Sequence, residues 1–149
     1  MARVQVTLRP VTADHERVVD RLDAAGLPSD DVADGPARLY IATVDDEPVG
    51  IGGLEAYGRV GLLRSVVVDG PHRGEGLGAQ LVRALEDEAA ERGVEELFLL
   101  TTTAAGFFER LGYERHDRRS VPASIASTTE FADACPDSAA CLRRRLGRD

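Results

Sequence analysis

A basic, glycine-rich loop between a strand and a helix is the part of the sequence best suited to binding chemistry. The run "RGEGLG" (Arg73 to Gly78) directly follows an apolar stretch and precedes a helical pattern. Backbone N–H groups at a helix N-terminus attract an anion, and glycines let that anion approach the backbone closely. Arg73 adds a positive charge. We expect a phosphate or pyrophosphate here, the alternative being a tight turn that only packs the helix on the strand.

Two familiar phosphate-binding patterns fit this loop poorly. A dinucleotide fingerprint has the spacing G-x-G-x-x-G after the first strand of its unit. Here Gly74, Gly76 and Gly78 follow G-x-G-x-G, behind three strands of antiparallel type. A phosphate-binding P-loop needs a lysine, and all 18 Lys-plus-Arg residues of this chain are arginines.

Two charged residues interrupt apolar strands upstream of the loop. Arg64 lies within "LLRSVVV" and Glu55 within "GGLEAY". A charge in such a run needs a partner of opposite sign. Strand alternation predicts Arg64, Val66 and Val68 on one face and Val67 on the other. Arg64 therefore either faces a ligand or forms an internal ion pair, for which Glu55 is the candidate partner.

The elements that must position these residues follow from hydrophobic periodicity. Apolar runs predict a strand at residues 4–10, a hairpin from "LYIATV" and "PVGIGGLEAY" around "DDEP", and a strand at "VGLLRSVVVD". Helical spacing predicts one helix between Thr12 and Gly26 and another from Leu77 to Gly93. Residues 27–38 read as a polar connector or a mobile segment beside a site. A strand at "EELFLLTTT", a short helix at "AAGFFERL", an edge strand at "GYERHDR" and a final strand complete an α+β domain with a mixed sheet flanked by helices.

Composition excludes several classes of protein. The chain has 149 residues, 43% hydrophobic and 30% charged, as expected of one globular domain. A net charge of -8 argues against general affinity for nucleic acid. No apolar run is long enough to cross a membrane, so we expect a cytoplasmic protein. Cys135 and Cys141 are expected to be free or buried thiols, rather than a disulfide or soft-metal pair, and no metal site is predicted.

Taken together, these motifs resemble the GNAT acetyltransferases. "VVVDGPHRGEGLGAQLV" is similar to the acetyl-CoA motif of that superfamily, with Arg/Gln-x-x-Gly-x-Gly/Ala at Arg73, Gly76 and Gly78. Downstream, "LFLLTTTAAGFFERLGY" resembles the strand and helix that follow, with an aromatic-x-x-x-Gly-aromatic signature beginning at Phe108. The resemblance implies a GNAT (acyl-CoA N-acyltransferase) fold over residues 1–149, and an acetyl-CoA-dependent N-acetyltransferase.

The resemblance also implies how acetyl-CoA, the cosubstrate, is bound. The backbone of the strand before the loop pairs with pantetheine, and one N–H there polarises the thioester carbonyl. The loop amides from Gly74 to Ala79 hold the pyrophosphate, and a splay between the fourth and fifth strands admits the pantetheine arm. The predicted cofactor-binding residues are Val66, Val67, Val68, Arg73, Gly74, Glu75, Gly76, Leu77, Gly78, Ala79, Thr102 and Phe108.

One branch of the superfamily resembles the chain more closely. "LLRSVVVD" and the tail "CPDSAACLRRRL" are similar to the arsenic-resistance N-acetyltransferases and to the acetyltransferase domain of bacterial glutamate N-acetyltransferases. This implies an acceptor that is an amino acid or an arsenical or phosphinic glutamate analogue. Arg64 could then clamp a substrate carboxylate, with the ion pair to Glu55 as the alternative.

Glu55 is the predicted catalytic base, directly or through water, and Tyr57 and His72 are weaker candidates. Many superfamily members carry a tyrosine general acid where this chain has Phe108, and an asparagine where Thr102 is the nearest match. The proton for the departing thiolate must then come from water or from a hydroxyl such as that of Tyr113 or Thr102.

Two other functions remain open at this stage. A non-catalytic acyl-CoA-binding sensor would keep Glu55 and Arg64 paired away from the thioester. Protein N-terminal acetylation would require an open groove. The expected partner is a small-molecule amine, with neither nucleic acid nor membrane, and a homodimer is left open.

Overall fold

The computed structural model describes residues 6–11, 38–68, 76–102, 104–128, 131 and 139–146. The strands are β1 (Thr7–Val11), β2 (Arg38–Val44), β3 (Glu47–Tyr57), β4 (Val60–Val68), β5 (Glu96–Thr101), β6 (Glu114–Arg115) and β7 (Ala140–Arg145). The helices are α1 (Leu77–Glu91), α2 (Ala105–Arg110) and α3 (Ala123–Ala126), with a 3-10 turn at Arg118–Ser120. The helix predicted after Thr12 and most of the polar segment that follows it lie outside the described residues.

The strands form one mixed sheet in the order β1-β2-β3-β4-β5-β7-β6. Among the described strands, β4 and β5 are the one pair that runs in parallel, joined through the crossover helix α1, and the other neighbours are antiparallel. The predicted β2–β3 hairpin is confirmed. Its turn residues, Asp45 and Asp46, both have positive φ (50° and 68°), as a two-residue hairpin turn that follows the twist of the strands requires.

Helix α1 packs against one face of the sheet, which we call the α1 face. Its apolar stripe meets Leu54 and Leu63 in the main core. Gly52 on β3 permits this close approach, because a Cβ at that position would overlap Leu85 of α1. Gly93 follows the helix with φ 89°, which confirms the predicted stop.

The opposite face, which we call the α3 face, is covered in part by the chain between β6 and β7. Its core cluster consists of Leu62, Phe98, Ile125, Phe131 and Cys141. The predicted edge strand "GYERHDR" is confirmed as the sheet edge, but it is shorter than expected, at two residues. It ends early because the Asp117 carboxylate accepts a hydrogen bond from the Arg119 N–H (2.9 Å) and starts the 3-10 turn.

The predicted architecture, a mixed sheet flanked by helices, is therefore confirmed. Within the described part of the chain, no helix combines the length and apolar character that a membrane span needs.

Candidate active site

Strands β4 and β5 separate partway along their length. Only three rungs join them, the last between Leu62 and Phe98. Beyond that rung β4 runs on to Val68 and β5 to Thr101. The predicted splay between the fourth and fifth strands is thus confirmed, and it leaves an opening between two strand edges. Pantetheine, which is long and thin and carries amide groups, fits the chemistry of such backbone edges.

A β-bulge lies in β4 where it borders this opening. On β3, Gly53 and Ile51 are two residues apart, but their partners Arg64 and Val67 are three apart. The extra residue makes Arg64 and Val67 share a face, while Val66 packs toward the α1-face core. The expectation that Arg64 shares a face with Val66 and Val68 is therefore wrong, because a one-residue insertion reverses the alternation beyond it.

The bulge also changes what the backbone of β4 offers. Ser65 and Val66 have no Cα partner on β3 in the described ladder. Their amide groups are therefore candidates to point into the opening, which is where the resemblance requires an N–H for the thioester carbonyl. No sequence signal indicated this bulge, since neither residue is a glycine.

The N-terminus of α1 lies beside the end of β4. A Cβ on Gly78 would come 3.2 Å from the Phe107 ring of α2 and 3.7 Å from Val68. Gly76, the N-cap, has φ 77°, a left-handed conformation that favours glycine, and no described side chain caps the helix. Leu77 anchors the first turn in the core, whereas Ala79 is half-buried. The first turn therefore keeps N–H groups for a ligand.

The rest of the predicted pyrophosphate loop falls outside the described part of the chain. Arg73, Gly74 and Glu75 lie outside the described residues, as does the weaker base candidate His72.

Glu55 and Arg64 form a buried ion pair on the α3 face. Arg64 Nη1 lies 3.0 Å from Glu55 Oε2, and the two side chains are 2% or less exposed. The Tyr57 hydroxyl donates a hydrogen bond to the other carboxylate oxygen of Glu55, Oε1. Burial, and then the hydrogen bond to Glu55, raise the pKa of Tyr57 above its ordinary value. The ion pair that was the alternative for Arg64 is thus present.

The position of this pair relates it to the opening. Glu55 on β3 lies opposite Leu62 on β4, and Leu62 belongs to the last rung that joins β4 to β5. Arg64 is two residues farther along β4. Gly53 lies opposite Arg64 and makes room for it, since a Cβ there would be 3.3 Å from Arg64 Cγ. Gly53 was not predicted as a site residue, although glycine within a strand is a signal of close approach.

The other wall of the opening comes from the end of β5 and from α2. Thr102 is exposed just beyond β5. Thr101, not Thr102, is tied into the local structure, because its Oγ1 accepts a hydrogen bond from the Ala104 N–H (2.9 Å). Phe108 is buried in the core against Phe107.

Tyr113, one of the hydroxyls considered as general acid, is engaged elsewhere. Its hydroxyl donates to Glu86 Oε2 (2.8 Å) on α1, and the side chain is buried. Burial, and then the negative charge of Glu86, raise its pKa. Such a hydroxyl is a poor proton donor for a thiolate in the opening.

The cysteine prediction is confirmed for the one cysteine that the structure describes. Cys141 is a buried free thiol, and burial raises its pKa to about 11. Cys135 lies outside the described residues. Among the described side chains, no group of His, Cys, Asp and Glu could hold a metal ion.

The fold and sequence match known acetyltransferases. Residues 8–113, more than half of the chain, match the acetyltransferase (GNAT) family. The uncharacterized N-acetyltransferase CT2212 of Chlorobaculum tepidum is 30% identical over 104 residues, which cover 69% of this chain and 64% of that protein.

Solved structures give the same fold over nearly the whole chain. N-acetylglutamate synthase from Neisseria gonorrhoeae, complexed with coenzyme A and N-acetyl-glutamate, matches with a TM-score of 0.77 at 18% identity. The match covers 99% of this chain but only 36% of the synthase. Rv2747 from Mycobacterium tuberculosis, solved in complex with CoA, matches with a TM-score of 0.72 at 20% identity, over 93% of this chain and 98% of that one. The GNAT fold is confirmed, and the chain belongs to the acetyltransferase (GNAT) family.

Proposed function

We propose that this chain transfers the acetyl group of acetyl-CoA to the amine of a small molecule. The observation that carries the proposal is the parting of β4 and β5 after the Leu62–Phe98 rung, with the N-terminus of α1 beside the end of β4. Membership of the family and the CoA complexes of two structures with the same fold support acetyl-CoA as the cosubstrate.

The proposed cofactor contacts follow the two walls of the opening. The backbone of Val66, Val67 and Val68 pairs with pantetheine, and the amides of residues 74–79 hold the pyrophosphate beside Arg73. Thr102 and Phe108 belong to the second wall. Exposed Thr102 suits direct contact, whereas buried Phe108 supports the wall from the core.

The chemistry requires a neutral amine whose nitrogen attacks the thioester carbonyl carbon. A backbone N–H of the bulge donates to the carbonyl oxygen as its negative charge grows. Glu55 takes the proton that the amine loses, through an intervening water because the carboxylate is buried. As the C–S bond breaks, water protonates the thiolate, since Phe108 has no proton to give and the Tyr113 hydroxyl is bound to Glu86.

The proposed acceptor is an amino acid, or an arsenical or phosphinic analogue of glutamate. The resemblance to glutamate N-acetyltransferases supports this class, as does the fold match to N-acetylglutamate synthase. Arg64 holds the Glu55 carboxylate in place. In a second proposed role, its guanidinium also binds the carboxylate of the acceptor. Arg64→Lys should then weaken the binding of amino acids more than the binding of simple amines.

Thiol release tests the proposal directly. The protein is incubated with acetyl-CoA and a panel of amino acids that includes L-glutamate, and the free thiol of CoA is followed. We expect release that depends on both the amine and the protein. CoA binding without release for every amine would instead favour the runner-up, an acyl-CoA sensor. The location of the Glu55–Arg64 pair beside the opening argues for the enzyme. Cytoplasmic location stays a prediction, and whether the chain forms a homodimer stays open.

A further inference from the structure

His116 carries a buried polar atom that the rest of the described chain leaves unsatisfied. Its Nε2 is buried and has no hydrogen-bond partner within the described part of the protein. Leaving such an atom without a partner costs about 1–3 kcal/mol, so native proteins rarely keep one without a reason. Neither the proposed cofactor site nor the ion pair uses this residue.

The backbone places His116 on the α3 face. Its N–H donates to the carbonyl oxygen of Cys141 (2.9 Å), which continues the β6–β7 pairing by one residue. Cys141 is itself the partner of Leu100 on β5. The His116 ring meets the Phe98 ring edge-on, with centroids 5.5 Å apart. The backbone register and the ring contact therefore both place the His116 side chain on the α3 face.

This location puts His116 across the opening from the ion pair. Arg64 and Leu100 each stand two residues beyond the Leu62–Phe98 rung, on opposite sides of the opening. Moving outward from Leu100 across the sheet, one meets Cys141 and then His116. The α3 face thus carries charged groups on one side of the opening and the unsatisfied imidazole nitrogen on the other.

We infer that His116 determines acceptor specificity by hydrogen bonding to a polar side-chain group of the acceptor. The inference rests on the proposed function and deepens it. An amine that attacks the thioester from the α3 face has Glu55 and Arg64 on its β3–β4 side. Its far end then points away from the ion pair, toward the side of the opening on which His116 lies. A carboxylate or carboxamide there, as in glutamate or glutamine, satisfies Nε2, whereas an alkyl chain of the same length leaves it unsatisfied.

A comparison of acceptors tests this inference. The ratio of kcat/KM for L-glutamine to that for L-norleucine, which matches it in length but is apolar, is measured in the wild type and in His116→Leu. We expect the ratio to fall about tenfold in the variant, as loss of one buried hydrogen bond predicts, while the Kd for CoA is unchanged. His116→Asn, which keeps a hydrogen-bonding side chain, should recover part of the ratio. An unchanged ratio in His116→Leu would overturn the inference.

Thr128→Val is the matched control. Thr128 is a buried polar residue of the same segment, but its hydroxyl donates to the Ile125 carbonyl oxygen (2.7 Å). Its replacement should lower stability and leave the acceptor ratio unchanged. If it changed the ratio as much as His116→Leu does, the effect would be one of packing and the inference would be wrong.

A second readout does not depend on turnover. The chain has three histidines, and the ring nitrogen resonances of His116 are assigned by their loss in His116→Leu. We expect its Nε2 resonance to move on addition of L-glutamine or L-glutamate to the CoA-bound protein, and not with L-norleucine. If the wild type acetylates no amine, the proposed function fails. His116 is then judged by this titration alone, and no shift with either polar amino acid would overturn its role too.

Discussion

Two buried carboxylates in this protein have nearly the same partners in different places. Glu55 on β3 accepts hydrogen bonds from Arg64 and from the Tyr57 hydroxyl. Glu86 on α1 accepts hydrogen bonds from Arg83, from Arg144 and from the Tyr113 hydroxyl.

The difference between them lies in their surroundings. Glu55 borders the opening, and its arginine is 1% exposed. Glu86 links α1 to β7 through Arg144 and to the chain after α2 through Tyr113. Its partners Arg144 and Arg83 are 31% and 44% exposed. Residue type and pairing therefore do not distinguish Glu55, the carboxylate proposed as the base, from Glu86. The two differ in that Glu55 lies at the opening.

The largest expected difference is in turnover. Glu55→Gln removes the proposed proton acceptor, and loss of a general base lowers kcat by about 100-fold or more. Glu86→Gln alters a contact between helix and sheet that lies away from the opening. It should therefore leave kcat within about threefold of the wild type. Thiol release at saturating acetyl-CoA measures both. Equal losses in the two variants would remove the distinction between the carboxylates.

Stability should also separate the two carboxylates. Glu55→Gln removes the carboxylate that is ion-paired with buried Arg64, and breaking a buried pair costs about 3–5 kcal/mol. Glu86→Gln costs less, about 1–2 kcal/mol, because water reaches Arg83 and Arg144. Urea unfolding gives the two values. The double variant Glu55→Gln/Arg64→Gln should recover much of the loss, since both buried charges are gone, and yet remain inactive. Activity in this folded variant would show that Glu55 is not the base.

A smaller effect is expected from the two tyrosines at alkaline pH. Burial raises the pKa of both Tyr57 and Tyr113, so the folded state holds their protons more firmly than the unfolded state does. The stability that follows is fully present below about pH 10, the ordinary pKa of tyrosine, and is lost as pH rises beyond it. Tyr113→Phe and Tyr57→Phe should each make the alkaline fall in unfolding free energy shallower, and only Tyr57→Phe should change kcat. A fall that is as steep in both variants as in the wild type would contradict this reading.

The smallest effects concern adjacent glycines on opposite faces of β3. Gly52→Ala presses on Leu85 of α1, and Gly53→Ala presses on Leu39 and Arg64. Each should cost about 1–3 kcal/mol through overpacking. Only Gly53→Ala, which disturbs the ion pair, should raise the acceptor KM. The same rise in Gly52→Ala would show that KM reports general loosening of the sheet.

Much of this arrangement could be predicted from local patterns. The β2–β3 hairpin, α1 and the order of the described elements follow from apolar periodicity and from turn residues such as Asp45 and Asp46. The opening was predicted only through the resemblance to the family. Apolar periodicity alone does not tell where two parallel strands stop pairing.

The missed features depend on contacts between distant parts of the chain. The bulge near Val66 has no glycine to mark it, yet it reverses the faces on which Arg64 and Val68 were expected. The role of Glu86 depends on Arg144, which is 58 residues away. His116 looked like part of an ordinary edge strand, and only the fold shows that its ring nitrogen is buried without a partner among the described residues.

Binding of CoA to two variants of one position tests the central claim, that the opening and the first turn of α1 hold the cosubstrate. Gly78→Asp and Gly78→Asn add nearly equal volume against Phe107 and differ in charge. Calorimetric titration should show CoA binding at least about tenfold weaker in the Asp variant than in the Asn variant, because a carboxylate there repels the pyrophosphate. Equal affinity in the two folded variants would contradict the account.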